Sequence, residues 1–169
     1  MLFRSKMNWQ MFQTQAEALV RVSADCAEFQ WRWVSSGVAL EGQACIDFRT
    51  TRAVEDCAYL LTASVVWSPA YCVPVLYFRA SDLSGAPVSL QQLKDDVLAQ
   101  DAAEMDCTLR WGLIAAAEHP VSGEPFFFLH PCETATLLGP QLSLVRWMSV
   151  ALQLLRIRFP LRLVSALAV

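Results

Sequence analysis

A histidine and a cysteine close an aromatic run late in the chain, and together they could supply a nucleophilic thiol. The run Pro125–Leu129 has the apolar character of a buried strand, and it ends in His130-Pro131-Cys132. Side chains of an extended chain alternate between faces, so His130 and Cys132 are predicted to project to the same side. A thiolate beside an imidazole at a strand end is a candidate nucleophile for acyl transfer. The alternative is that Cys132 is a small buried apolar residue, as most free cysteines are.

Composition and charge exclude several classes of function. The chain has 169 residues, of which 55% are hydrophobic and 17% charged, and this predicts one folded domain over residues 1–169. A net charge of −3 argues against a nucleic-acid partner. Six cysteines without a Cys-x-x-Cys pair, and only two histidines, predict no metal site and no cofactor.

Arginines divide the apolar C-terminal third of the chain. Arg146, Arg156, Arg158 and Arg162 leave pieces well short of the ~20 residues that a membrane span requires. The first residues lack the apolar core of a signal peptide, so we expect a cytoplasmic protein with free thiols. The cluster Arg156, Arg158 and Arg162 is too sparse to predict a polyanion-binding patch.

Hydrophobic periodicity predicts an α+β fold in which an antiparallel sheet of about four or more strands is flanked by helices. Strand patterns occur at Phe29–Trp33, Ala44–Arg49, Leu60–Trp67, Val73–Arg79 and in the run from Pro125. Helical spacing and capping signals predict an N-terminal helix within residues 1–30, helices over Ser89–Gln100 and Asp101–Ala117, and a C-terminal helix over 141–156. Turn residues separate these elements, for example at Ser68-Pro69-Ala70 and Ser84–Pro87.

Four motifs in a fixed order resemble one family. They are Tyr71–Ser81, Glu118-His119-Pro120, Pro125–Cys132 and the helix start Trp147–Val150. These segments resemble the autophagy-related E2-like conjugating enzymes of the autophagy-related protein 10 family, and the similarity extends over Tyr59–Leu163. A sister family, the protein 3 type, shares the His-Pro-Cys segment but is nearly twice as long, so the short chain favours type 10. The resemblance implies an E2-like (UBC-like) core.

The resemblance also implies an activity and partners. Members accept the ubiquitin-like autophagy protein 12 from the E1-like activator, autophagy protein 7, and transfer it to a lysine of autophagy protein 5, supporting autophagosome formation. Cys132 matches the thioester-forming cysteine, and Tyr71 and His130 match positions beside it that help the target amine attack. The position of His130 varies between histidine and asparagine among relatives. The loop Ser81–Val88 and exposed strand edges offer a surface for pairing with the target.

The tetrahedral intermediate of acyl transfer needs hydrogen-bond donors for its oxyanion. Ubiquitin E2 enzymes commonly use an asparagine, but the single asparagine of this chain is Asn8, far from Cys132 in sequence. The candidate donors are therefore the backbone amides after Cys132, the Thr134 hydroxyl, Tyr71 and His130.

Two other classes of protein compete with a conjugating enzyme. A cysteine hydrolase would pair Cys132 with His119 and orient the imidazole with a carboxylate such as Glu118 or Glu133. We expect instead that His119 is structural and that the other five cysteines are core thiols. A non-catalytic scaffold of E2-like fold is the second alternative, and the presence of Cys132 argues against it. A hydrolase would release a free product, whereas a conjugating enzyme holds its modifier as a reducible adduct.

Overall fold

A six-stranded antiparallel sheet is the frame of the protein, in a computed structural model that describes residues 6–37, 43–97, 114–134 and 140–167. Its strands, numbered along the chain, are β1 (Arg32–Ser35), β2 (Ala44–Val54), β3 (Cys57–Ser68), β4 (Val73–Asp82), β5 (Ile114–Glu118) and β6 (Pro125–Leu129). Their order across the sheet is β1-β2-β3-β4-β6-β5, and neighbouring strands are antiparallel throughout. The predicted α+β class is confirmed.

Helices accompany the sheet along the described parts of the chain. The α-helices are α1 (Trp9–Ser23), α2 (Leu90–Asp96), α3 (Leu144–Ala151) and α4 (Leu161–Leu167), and short 3-10 helices cover Ala27–Phe29, Pro131–Glu133 and Leu152–Leu155. Helix α1 begins where Asn8 Oδ1 accepts the Met11 N–H at 2.8 Å. Helix α2 begins at the predicted capping signal, because Ser89 Oγ accepts the Gln92 N–H. Within the described ranges, no helix is both long and apolar enough to cross a membrane.

The hydrophobic core lies between the sheet and helices α1 and α3. Strand β3 lies between β2 and β4 and is buried on both faces from Leu61 to Trp67. Phe12 from α1, Trp147 from α3 and Phe78 from β4 are each fully enclosed. Burying side chains of this size contributes roughly 1.5–3 kcal/mol each, so this core holds β4 and its neighbours in fixed register.

The start of α1 is tied to the turn between β3 and β4. The Met7 N–H donates to the Cys72 carbonyl at 3.0 Å, and the Trp67 indole N–H donates to the Met7 carbonyl at 3.0 Å. The Cys72 N–H closes the turn onto the Ser68 carbonyl at 2.8 Å. The turn that carries Tyr71 is therefore held by hydrogen bonds from both sides.

The first predicted strand is shifted in the structure. The prediction of a strand over Phe29–Trp33 is wrong at its start, because Ala27–Phe29 forms a 3-10 helix and β1 begins at Arg32. The Phe29 ring packs on Phe48 and Phe159 at centroid distances of 5.3 and 5.0 Å. This aromatic contact in the core fixes the turn in place of an extended chain.

A predicted helix is a strand at its C-terminal end. The helix expected over Asp101–Ala117 is contradicted at Ile114–Glu118, which forms β5, and the rest of it lies outside the described residues. Alanines carry no strong strand preference, so the pairing of Ile114 with Leu129 and of Ala116 with Phe127 decides the structure.

The C-terminal helix ends earlier than predicted. The α-helical part of 141–156 is α3, and a 3-10 helix continues it to Leu155. Arg156 takes a left-handed conformation with φ 53°, and the Arg52 side chain donates to the Leu155 and Arg156 carbonyls, both at 2.9 Å. These bonds satisfy carbonyls at the helix end, and α4, which the sequence analysis did not predict, follows.

Candidate active site

Cys132 lies on a tight turn directly after β6. The strand ends at Leu129, and Pro131–Glu133 forms a single 3-10 turn in which Cys132 is half-buried with a free thiol. The prediction that extended alternation carries both His130 and Cys132 to one side is therefore wrong, because the chain is helical at Cys132. Proline suits the first position of a helical turn, and this is why the bend occurs here.

The His130 ring contacts Cys132 through a hydrogen bond to its backbone. Its Nδ1 accepts the Cys132 backbone N–H at 3.2 Å, so His130 is the N-cap of the turn. A ring nitrogen that accepts carries no proton, and the neutral imidazole must therefore hold its proton on Nε2. The side chain can therefore donate one hydrogen bond from Nε2.

Tyr71 reaches the same place from the turn between β3 and β4. Its ring meets the His130 ring edge-on, with centroids 5.8 Å apart and an interplanar angle of 73°. The side chain is 52% exposed, so its hydroxyl is accessible to a docking partner. The structure thus brings Tyr71 and His130 together, and His130 links them to Cys132.

Some polar groups around the thiol are committed elsewhere. Among the predicted oxyanion donors, the Thr134 amide donates to the Pro131 carbonyl, and the Cys132 amide, which was not one of them, donates to His130 Nδ1. The Thr134 side chain is 4% exposed, and the Asn8 side chain caps α1. These commitments favour the Tyr71 hydroxyl and the His130 Nε2–H as donors to a developing oxyanion.

His119 is committed to the fold. Its Nδ1 accepts the N–H groups of Val121 and Ser122, both at 3.2 Å, and its Nε2 lies 2.9 Å from Ser64 Oγ. The ring is 3% exposed, and burial lowers the pKa of His119. Both nitrogens are therefore used by Ser64 and the turn after β5, as expected for a structural histidine, and the pairing with Cys132 that a hydrolase requires finds no support.

A row of neighbouring rings, only one pair of them stacked, connects His130 to His119. Ring centroids are 6.5 Å apart for His130 and Phe128, 5.6 Å for Phe128 and Tyr77, and 5.1 Å for Tyr77 and His119. Phe126 continues the row at 4.6 Å from His119. Tyr77 and Phe128 were not predicted to support the site, although the alternation of side chains between the two faces of each strand was a usable signal.

The remaining cysteines fall into different environments. Cys26 and Cys45 are buried as predicted, Cys72 is half-buried, and Cys107 lies outside the described residues. The expectation of a core thiol is wrong for Cys57, which is exposed at the start of β3. Burial and the neighbouring Asp47 carboxylate raise the pKa of Cys45 to about 12, so this thiol is protonated and unreactive at neutral pH.

One group of side chains has the elements of a metal site. Donor atoms of Cys45, Asp47 and His119 lie within 4.8 Å of one another. The Cys45 thiol donates to Asp47 Oδ1 at 3.4 Å, however, and His119 Nε2 faces Ser64. The arrangement is a hydrogen-bond network in the sheet, and the proton that Cys45 holds opposes metal coordination.

Comparisons with known proteins identify relatives of this chain. The family model described as "Autophagocytosis associated protein, active-site domain" matches residues 11–162. The ubiquitin-like-conjugating enzyme ATG10 of Homo sapiens is 30% identical over an alignment of 154 residues, and the alignment covers 77% of this chain and 69% of that protein. The enzyme of the same name from Arabidopsis thaliana is 33% identical over 126 residues, and the match spans 66% of this chain and 56% of the plant protein.

A solved structure shows the same fold. The crystal structure titled "Autophagic E2, Atg10" superposes with a TM-score of 0.56 over 89% of this chain and 98% of the other, at 16% sequence identity. The E2-like architecture is therefore confirmed. Because the family model covers most of the chain, including Tyr71, His130 and Cys132, the chain belongs to the autophagocytosis-associated family of E2-like, ubiquitin-like-conjugating enzymes of the ATG10 type.

Proposed function

We propose that Cys132 accepts the ubiquitin-like autophagy protein 12 as a thioester from the E1-like autophagy protein 7 and transfers it to a lysine of autophagy protein 5. The observation that carries the proposal is the half-buried thiol of Cys132, held on a one-turn helix beside His130 and Tyr71. The reaction belongs to the cytoplasm and serves autophagosome formation.

The chemistry consists of two acyl transfers. In the first, the Cys132 thiolate attacks the carbonyl carbon of the E1 thioester, and the E1 thiolate leaves as the new carbon–sulfur bond forms. In the second, the lysine amine attacks the thioester on Cys132, the thiolate of Cys132 leaves, and the amine loses a proton as the amide forms. Both steps pass through an oxyanion that needs donors at its oxygen.

Tyr71 and His130 serve the second step in this proposal. The turn between β3 and β4 carries Tyr71, the end of β6 carries His130, and both elements are fixed by the core, so the donors are positioned before the substrate arrives. Because His130 already accepts the Cys132 amide, its free Nε2–H acts as a donor and orients the thioester carbonyl.

A charging experiment tests the proposal. The protein is incubated with the E1-like enzyme, ATP and the modifier, and a non-reducing gel is expected to show a slower band that collapses on adding a reducing agent. Cys132→Ala is expected to abolish this band, whereas Cys72→Ala and Cys107→Ala retain it. Loss of the band in either of these two variants, with retention in Cys132→Ala, contradicts the assignment.

We also propose that the loop between β4 and α2 recognises the target directly, without a separate ligase. Asp82 orders this loop by accepting the Ser84 and Ala86 N–H groups at 2.8 and 2.9 Å, and a bridge pairs Ser81 with Pro87. Leu83 lies on this loop with 74% of its surface exposed, so its side chain is available for contact with a partner.

The loop can be tested without disturbing the fold. Leu83→Asp is expected to slow conjugation to the target about 10-fold while leaving the thioester on Cys132 intact, because loss of one buried apolar contact costs roughly 1.5–3 kcal/mol. Leu161→Asp is the matched control, since Leu161 is 83% exposed on α4. Equal loss of charging and conjugation, or an equal effect of Leu161→Asp, would rule out this surface.

A further inference from the structure

A basic cavity lies at the opposite end of the sheet from Cys132. Its volume is about 370 Å³, and it lies between the second half of β2 and the segment that leads into α4. Through β3, Thr51 of β2 lies level with Ser81, near the end of β4, so the cavity is at that end of the sheet. Strand β6 runs antiparallel to β4, so the chain leaves β6 toward Cys132 near the start of β4. The cavity is therefore separate from the candidate active site.

The fold concentrates positive charge in this cavity. Arg52, Arg158 and Arg162 line it together with one carboxylate, Glu28, so three positive charges and one negative leave a local charge of +2 in a chain of net charge −3. The C-terminal arginines alone were predicted to be too sparse for a patch, but the fold places Arg52 of β2 beside them. None of the three guanidinium groups forms an ion pair with a carboxylate in the parts of the chain that the structure describes.

Most of the N–H groups of these arginines are unused. Arg52 donates from Nη2 to two carbonyls, and Arg162 donates from Nη2 to Cys26 Sγ at 2.9 Å. Arg158 is exposed and has no hydrogen-bond partner among the described residues. Burial and the nearby positive charge of Arg156 lower the pKa of Arg52, as expected for cations that lack a counterion.

The walls of the cavity suit an organic molecule that carries an anionic group. Phe29, Phe48 and Ile157 are almost fully buried and form its apolar floor, and Thr50 lies on the same face of β2 as Phe48 and Arg52. Pockets of about 300–1,000 Å³ hold small organic ligands, and the planar guanidinium fork matches phosphate oxygens in pairs. We propose that this cavity binds a small molecule with a phosphate or pyrophosphate group, whose oxygens accept hydrogen bonds from Arg158 and Arg162.

Binding of inorganic pyrophosphate to the full chain tests the proposal. Calorimetric titration at constant ionic strength is expected to show saturable binding that Arg158→Gln weakens about 10-fold or more, because a hydrogen bond to a charged group contributes roughly 1.5–3 kcal/mol. Arg49→Gln is the matched control, since Arg49 is exposed on the same strand and does not line the cavity. Normal thioester formation on Cys132 in both variants shows that the fold is intact.

The source of the phosphate group is decided by a second arm. Binding is measured to vesicles of phosphatidylcholine with phosphatidic acid. A lipid headgroup is identified if the wild type binds these vesicles, Arg158→Gln does not, and pyrophosphate displaces the bound protein. Pyrophosphate binding without vesicle binding identifies a soluble phosphate ester. Three results would overturn the proposal. They are pyrophosphate binding no better than chloride, equal affinity of Arg158→Gln and Arg49→Gln for pyrophosphate, and a preference of the protein for an oligoglutamate peptide over pyrophosphate.

Discussion

Two His-Pro turns lie in this protein, and their histidines have different surroundings although they make the same local hydrogen bond. His119-Pro120 follows β5, and His130-Pro131 follows β6. In both, the histidine Nδ1 accepts a backbone N–H from the residues just after the proline. The other ring nitrogen makes the difference: that of His119 meets Ser64 inside the sheet, whereas His130 is half-buried beside Tyr71 and Cys132.

The comparison shows how a capping histidine becomes available for chemistry. Accepting a backbone amide at Nδ1 fixes the ring and the tautomer, so Nε2 presents a proton in a known direction. A buried partner consumes that proton in a structural hydrogen bond. In the proposed function, the half-buried ring of His130 keeps this proton for a substrate, and the free thiol of Cys132 carries the modifier.

Removing the free donors is expected to give the largest effect. His130→Ala and Tyr71→Phe should charge nearly normally with the modifier but discharge it onto the target lysine about 100-fold more slowly, because in the proposed function these groups orient the thioester on Cys132 for attack by the lysine and are not needed to form it. Single-turnover discharge of pre-charged protein measures this rate. His130→Asn is the matched control, since an amide can both accept the Cys132 N–H and donate to the carbonyl, and it should discharge close to the wild-type rate.

Normal discharge by both variants would contradict the proposed role of the free Nε2–H and the tyrosine hydroxyl. If the wild-type discharge rate depends on pH and the slow rate of His130→Ala does not, His130 would instead be assigned as a general base.

Removing the buried histidine should affect stability instead of transfer. His119→Ala loses the bond to Ser64 and the acceptor for the Val121 and Ser122 amides, so we expect the free energy of unfolding to fall by about 2 kcal/mol. Urea denaturation followed by tryptophan fluorescence measures this. Discharge rates per folded molecule should equal those of the wild type. A 100-fold slower discharge would contradict the structural role of His119.

Mild acid provides a smaller effect of the same origin. Burial lowers the pKa of His119 below its ordinary 6.5, so the unfolded chain takes up a proton at a higher pH than the folded protein does. The free energy of unfolding should therefore fall as the pH drops below 6.5 and level off below the folded pKa. Asp47 and Glu124 favour the protonated ring and Arg79 opposes it, so they are left unchanged. Denaturation of His119→Ala between pH 7.5 and 5.5 should lack this loss, and an identical slope in the variant would contradict it.

The sequence predicts the parts of the fold that depend on local pattern. Strands β2, β3 and β4 carry β-branched and apolar runs long enough to be recognised, and Asn8 and Ser89 occupy the helix starts that such residues favour. Strand β5 carries mostly alanine, so only its pairing with β6 determines its structure. The residue pattern of one segment does not show which distant strand will pair with it.

The candidate site was predictable in its residues but not in its geometry. Cys132 and His130 were evident from their types and spacing, and family resemblance added Tyr71. The extended alternation inferred for His130 and Cys132 failed because Pro131 opens a helical turn. The edge-on contact of Tyr71 with His130, and the joining of Arg52 to the C-terminal arginines, depend on sheet pairing over long sequence distances.

The most direct test of the central claim is to locate the bond between the modifier and this protein. Charging of Cys132→Ser with the E1-like enzyme and ATP should produce an ester that survives reducing agents and is cleaved by mild base. Peptide mass spectrometry should then map the C-terminus of the modifier to position 132. An adduct of this variant that is still reducible, or one that maps to Cys57 or Cys72, would contradict the claim that Cys132 carries the modifier.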